Sequence, residues 1–272
     1  MSESPPGGPS ALDLIALERE GEGRFSGISL EGAIGRVFGG QMLAQAIRAV
    51  SHSIGDRRPV HSFHASFVRP ALPTVALDYS TEVIKSGRSL DVVDFRARQS
   101  GRVMLLGFAS AHEPEPSREA GPTMPLVVGP DELPSSDFAP RGTNAAVRAP
   151  FDRRYVPSAP GSRTQDVWVR TRGRVESDCP IDHTALLTYA VDFLLTRAAH
   201  VALPEISVVG ASLDHAMWFH RPFRIDEWLL ISNTMVAFSD SRSLCTCSVF
   251  DRSGEVVASA TQEALIRADP SE

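Results

Sequence analysis

From position 60 onward apolar and polar residues alternate with a period of two, in runs near 60–69, 75–85, 89–99 and 102–112, separated by Gly87 and by Ser100-Gly101. Such alternation predicts half-buried strands joined by tight turns, one face on a core and the other toward water. Ahead of them, Met42-Leu43-Ala44-Gln45-Ala46-Ile47-Arg48-Ala49-Val50 is rich in alanine and unbranched apolar residues and predicts a buried helix. A shorter helix is expected over 11–18 and a first strand over 24–30, after a start that reads as disordered. The order then recurs. A strand is expected at 166–171, an apolar helix over 183–196 capped near Asp182, and strands near 205–213, 215–221, 227–236, 242–250 and 255–267. Each half reads as an antiparallel sheet wrapped about one apolar helix, an α+β arrangement.

Short matches reinforce the recurrence. Phe67-Val68-Arg69-Pro70 returns as Phe219-His220-Arg221-Pro222, Arg88-Ser89-Leu90 as Arg242-Ser243-Leu244, and Ser100-Gly101-Arg102-Val103 as Ser253-Gly254-Glu255-Val256. The offsets are 221 − 69 = 152, 242 − 88 = 154 and 253 − 100 = 153. One order at nearly one spacing indicates a duplicated unit, too long for a solenoid repeat. Units are expected over 1–112 and 165–272. Between them, 113–164 concentrates proline with glycine, serine and charges, a composition expected to link the copies without packing of its own.

Composition narrows the classes. With 272 residues, 42% hydrophobic and 22% charged, the chain can bury a real core. No run approaches the roughly 18 apolar residues that span a bilayer. The opening MSESPPGGPS has neither the basic start nor the apolar stretch of an export signal, and the last five residues lack a Ser-Lys-Leu address, so a cytoplasmic location is expected. A net charge of −6 argues against nucleic-acid binding while leaving room for a local cationic pocket. Cys245 and Cys247, two apart on one expected strand, read as buried small hydrophobes. His61 and His64 lack a third ligand, so no metal is expected.

Several polar residues stand out against apolar surroundings. Asp192 is enclosed by apolar residues on nearly every face of its helix; burial of a carboxylate demands donors, which fits either a structural Asp or a functional carboxylate of perturbed pKa. Gln262 shares a small-apolar strand face with Val256, Ala258 and Ala260, and Ser212 is a lone strand serine; both admit a core role or a role in holding water. The Gly39-Gly40-Gln41 helix start offers exposed backbone N–H groups to an oxyanion or a phosphate. Asp182-His183 and Asp214-His215 suggest dyads, but neighbours on a strand face opposite ways. No G-x-S-x-G elbow, Walker loop or H-E-x-x-H is present.

Phe38-Gly39-Gly40-Gln41, His61-Ser62-Phe63-His64, Leu213-Asp214-His215-Ala216-Met217-Trp218-Phe219-His220-Arg221-Pro222-Phe223 and Gln262-Glu263-Ala264-Leu265-Ile266-Arg267 together resemble the acyl-CoA thioesterase II family. The resemblance implies a double hotdog fold and hydrolysis of fatty acyl-CoA to fatty acid and CoA, with no cofactor. It also implies a water held by Asp192, Ser212 and Gln262, and a homodimer or higher homo-oligomer; Asp192 is then expected to be the general base. Gly39, Gly40 and Gln41 are then expected to meet the oxyanion. Two other functions remain open from the residues: an enoyl-CoA hydratase or dehydratase on the same fold, and a non-catalytic acyl-CoA binding protein.

Overall fold

The computed structural model describes residues 10–33, 35–55, 58–136, 147–204 and 208–268. The start expected to be disordered, at 1–9, and the strand portion expected at 205–207 lie outside the described residues. In the first half, α1 (Ala11–Leu14), β1 (Glu18–Gly21), β2 (Arg24–Gly27), β3 (Glu31–Ala33) and β4 (Arg36–Val37) precede the helix α2 (Gly39–Ile54). Strands β5 (Val60–Phe67), β6 (Leu77–Ser86), β7 (Leu90–Gln99) and β8 (Arg102–His112) follow. The second half opens with β9 (Phe151–Tyr155), β10 (Thr164–Thr171), α3 (Pro180–Leu195) and α4 (Arg197–Ala202). It continues through β11 (Val208–Ser212), β12 (Asp214–Phe219), β13 (Leu229–Ser239), β14 (Arg242–Phe250) and β15 (Val256–Ala268).

Among the described residues, thirteen strands join one sheet in the order β1, β2, β6, β7, β8, β5, β12, β15, β14, β13, β10, β9, with β11 also on β15. The order is a palindrome about the antiparallel β5–β12 pair. In that pair His64 lies opposite Ala216, and 216 − 64 = 152, the offset of the F-x-R-P repeat. An approximate two-fold axis therefore passes between these two residues, and the duplication read from sequence is a structural one.

Both long helices lie against the inner face of the sheet and against each other. A Cβ on Gly40 would stand 2.6 Å from the Tyr189 carbonyl oxygen, so the crossing of α2 and α3 leaves no room for a side chain there. One core runs through both halves: Leu43, Ile47, Phe63 and Phe95 join Leu186, Val191, Met217 and Ile231 in a single cluster. Burying each such side chain contributes about 1.5–3 kcal/mol. Because α3 is covered by α2 on one side and by sheet on the other, it is buried around most of its circumference.

Four expectations change. The proline-rich stretch does pack: β9 pairs with β10, taking the place that β1 holds beside β2 in the other half. Upstream, Met124, Val127 and Leu133 lie with Trp168, Trp228, Leu230 and Phe250 in a second cluster, and Trp168 Nε1–H donates to the Val128 carbonyl at 3.0 Å. Proline removes ladder donors, yet an extended segment can still lay apolar side chains and carbonyls on a sheet. Second, α3 begins at Pro180, and Asp182 sits inside its first turn, accepting from Ser177 Oγ at 2.6 Å and pairing with Arg48 at 3.0 Å. Third, α1 ends at Leu14. Fourth, Val256 joins the second cluster while Val257 and Ala258 join the main core, because the β14–β15 register slips near Phe250.

Candidate active site

Asp192 projects from α3 toward the first turn of α2. A Cβ on Gly39 would lie 3.1 Å from Asp192 Oδ2 and 3.0 Å from the Phe67 ring, so the helix start comes close to the carboxyl only because glycine is there. The Gly40 N–H faces Asp192 and favours its charged form, and the positive end of the α2 dipole faces the same group. The first copy thus supplies backbone to a carboxylate carried by the second.

Ser212 and Gln262 reach the carboxyl from the sheet. Ser212 pairs with Ala264, whereas Ala216 pairs with Thr261. The pair sums, 476 and 477, differ by one, so the β11–β12 segment carries one extra residue between these pairs. This bulge has a chemical consequence. Residues three apart on a regular strand face opposite ways, yet here Ser212 and His215 both meet Gln262: Gln262 Nε2 donates to Ser212 Oγ at 2.5 Å, and His215 Nδ1 lies 2.9 Å from Gln262 Oε1. Asp214 points outward and accepts from the Glu263 N–H at 2.8 Å, so Asp214-His215 forms no dyad.

Burial sets the protonation states. It pushes Asp192 up from 3.8 to about 7, with Gly40, Ser212 and Gln262 pulling in the other direction as donors. Phe38, Tyr189 and Phe193 form an edge-packed aromatic wall beside this stretch of α3. Burial likewise pushes His215 down to about 4 against the opposing effect of Gln262. His215 Nδ1 and Asp192 Oδ1 are 3.9 Å apart. Since the imidazole gives up its extra proton well before the carboxyl does, their approach is that of a neutral ring and a carboxyl, not an ion pair. Asp192 Oδ1 is buried with no protein hydrogen bond of full geometry among the described residues. That oxygen therefore keeps an unfilled acceptor site.

The structure brings Asp192, Ser212, Gln262, Gly39 and Gly40 to one place. Gln41 departs from the expectation that it meets an oxyanion. Its N–H donates to the Phe38 carbonyl at 3.2 Å, its Nε2 to the Leu14 carbonyl at 3.0 Å, and its Oε1 accepts from the Leu30 N–H at 2.9 Å. Four residues on, Gln45 also donates to Leu14, so this helix face holds the N-terminal segment. His215, which the sequence set aside with the Asp214-His215 pair, enters the site through Gln262 instead.

The two-fold axis also exposes a difference between the copies. Subtracting 152 maps Ser212 to Val60 and His215 to Phe63, and the registers map Gln262 to Ala109. The β5–β8 register slips by one between Val60 and Ser62, at the equivalent of the Ser212–Asp214 bulge. Val60, Phe63 and Ala109 are buried apolar residues. The backbone device survives in the first copy while its polar groups do not, so among the described residues the second copy alone carries the polar set.

Comparison with known proteins agrees with this arrangement. Residues 30–112 match the family model described as the acyl-CoA thioesterase N-terminal domain, and residues 130–266 match the acyl-CoA thioesterase C-terminal domain. Acyl-coenzyme A thioesterase 8 of Homo sapiens is 30% identical over 94% of this chain and 88% of its own length. Acyl-CoA thioesterase 2 of Haemophilus influenzae is 28% identical over 94% and 96%. Among solved structures, an acyl-CoA thioesterase II from Mycobacterium marinum superposes with a TM-score of 0.84 at 30% identity, covering 97% of this chain and all of that one. A hot dog fold protein from Alicyclobacillus acidocaldarius, 19% identical with a TM-score of 0.82 over 95% of this chain and 98% of its own, shares the fold. With two wrapped helices in one chain and both domain models matched in order, the protein is a double hotdog and belongs to the acyl-CoA thioesterase II family.

Proposed function

We propose that this protein hydrolyses fatty acyl-CoA to fatty acid and CoA, and that Asp192, Ser212 and Gln262 activate the attacking water. The observation that carries the mechanism is the buried Asp192 carboxyl, raised to about 7 and ringed by a hydroxyl, an amide and a helix start. A general base works best with a pKa near the working pH. A thioester carbonyl is already electrophilic, so one positioned water suffices and no covalent intermediate is required. Asp192 takes a proton as the water oxygen bonds to the carbonyl carbon. Ser212 Oγ and the carboxylate hold that oxygen in line, with the Gln262 amide fixing Ser212 from behind. The tetrahedral intermediate then expels CoA thiolate, which recovers the proton from Asp192 as the fatty acid leaves.

We place the developing oxyanion at the Gly39 N–H, in the first turn of α2, where the helix dipole favours negative charge; the Gly40 N–H already faces Asp192. Both copies then contribute to one reaction, which accounts for their fusion. We take 1–112 as the first unit and the chain from β9 onward as the second, a homodimer as the assembly, and the cytoplasm as the location. Light scattering of the purified chain and fractionation of cells check the last two.

The Asp192–His215 approach is the kind of pair that hydration of enoyl thioesters would use. His215 is fully buried, however, with one nitrogen engaged by Gln262, and presents no face to a substrate. Release of free thiol from acyl-CoAs of graded length, followed alongside enoyl absorbance, tests the reading. Stoichiometric thiol and fatty acid are expected. Binding without thiol release, or loss of enoyl absorbance in its place, would overturn it.

A further inference from the structure

We infer that His215 is a positioning residue, which fixes the orientation of the Gln262 amide and so keeps its N–H groups directed at Ser212 and Asp192. This role rests on the reading of Asp192 as general base. The argument starts from the two ends of an amide, one a donor and the other an acceptor. Gln262 meets His215 at Oε1 and Ser212 at Nε2. With the ring proton on Nδ1, the links point one way: Nδ1–H donates to Oε1 and Nε2–H to Ser212 Oγ, which leaves the Ser212 hydroxyl proton free to face the Asp192 carboxyl. With the proton on the other ring nitrogen, Nδ1 would accept and Gln262 would have to turn its NH2 toward the ring. Its carbonyl oxygen would then face Ser212 and a carboxylate. Asp192 would lose the Gln262 donor, and the Ser212 hydroxyl would turn to that carbonyl.

The surroundings hold the ring to this task. It is fully buried and stacks on Phe63 at 5.7 Å and 11° between planes. Phe63 is its own counterpart across the two-fold axis, so the pair places one donor ring on one apolar ring. Facing His215 are Phe63 from β5, Gln262 from β15 and Asp192 from α3, of which Asp192 alone titrates. Its Nε2 is buried with no partner among the described residues, and bulk solvent does not reach the ring. The ring orients the amide rather than shuttling protons.

The test replaces the ring in three ways. His215→Phe keeps the stack and removes the donor; His215→Asn puts an amide N–H near the Nδ1 position; His215→Gln puts one near Nε2. The expected result is a fall in kcat of about 10- to 100-fold for the Phe and Gln variants with KM changed by less than about threefold. The acid limb of kcat/KM should move to higher pH in both, because Asp192 loses donors. The Asn variant should recover kcat to within about fivefold of the parent. Nitrogen NMR of the labelled ring should show Nδ1 protonated and Nε2 bare from pH 5 to pH 9, about a unit above the ring's own pKa at the low end. Equal kcat and pH limb in the Asn and Gln variants, or a ring protonated at Nε2, would overturn the positioning role. Asp192→Asn separates the two ideas. If that variant turns over, the general-base reading fails; if it is inactive while the His215 variants match the parent, only the positioning role fails.

Discussion

Replacing Asp192 with Asn should remove activity and raise stability together, and the structure supplies both magnitudes. Asn keeps the size of the side chain and one acceptor oxygen but cannot take a proton from water. Loss of a general base costs about 10²- to 10⁴-fold in kcat, while acyl-CoA binding should persist. Stability moves for a separate reason. Burial raises the carboxyl from 3.8 to about 7, which makes ionising it in the native state costlier than in the unfolded chain by about 4 kcal/mol. Between these two values the native state binds the proton and the unfolded state does not. The parent therefore loses stability as pH rises through this window, and above pH 7 it bears the whole cost. The Asn variant has no such charge. Its stability relative to the parent should grow by up to about 4 kcal/mol between pH 4 and pH 8, read from urea midpoints at each pH. Thiol release measured on the same samples gives the activity. A variant with parental turnover, or a stability difference independent of pH, would refute the reasoning.

The parent's kcat/KM should rise tenfold per pH unit up to a single ionisation near 7, the value to which burial brings Asp192; a flat profile from pH 5 to pH 8 would contradict this, and a pH–rate series decides it. Ser212→Ala should lower kcat by about 10- to 100-fold through loss of one hydrogen bond to the reacting groups, whereas Ser212→Thr, which keeps the hydroxyl, should stay within about fivefold. Steady-state kinetics of both variants check the pair. Gly40→Ala forces a methyl against the Tyr189 carbonyl oxygen, 2.6 Å away, and the backbone of α3 cannot yield as a side chain would. A loss of about 1–3 kcal/mol is expected in denaturant unfolding.

The wrapped helices and the strand runs were legible because period-two and helical patterns survive in nearly every element. The duplication was legible too, since the two F-x-R-P motifs sit at equivalent ends of β5 and β12. Asp192 announced itself as a carboxylate in an apolar helix. His215 stayed hidden for a physical reason: counting by twos from Ser212 places it on the outer face, and only the extra residue between them turns it inward. Gln41 was misread because helix position alone does not reveal that Leu14 and Leu30 present a carbonyl and an N–H to its side chain. β9 and the docked segment before it were obscured by proline, whose effect on composition outweighs a few well-placed apolar residues such as Met124 and Leu133.

Direct attack by a water that Asp192 activates is best tested by one turnover of acyl-CoA in ¹⁸O water with enzyme in excess. The released fatty acid should carry one heavy oxygen, and the Asp192-containing peptide should carry none. Unlabelled acid with label in Asp192 would mean that the carboxylate itself had bonded to the acyl carbon, and would contradict the water mechanism.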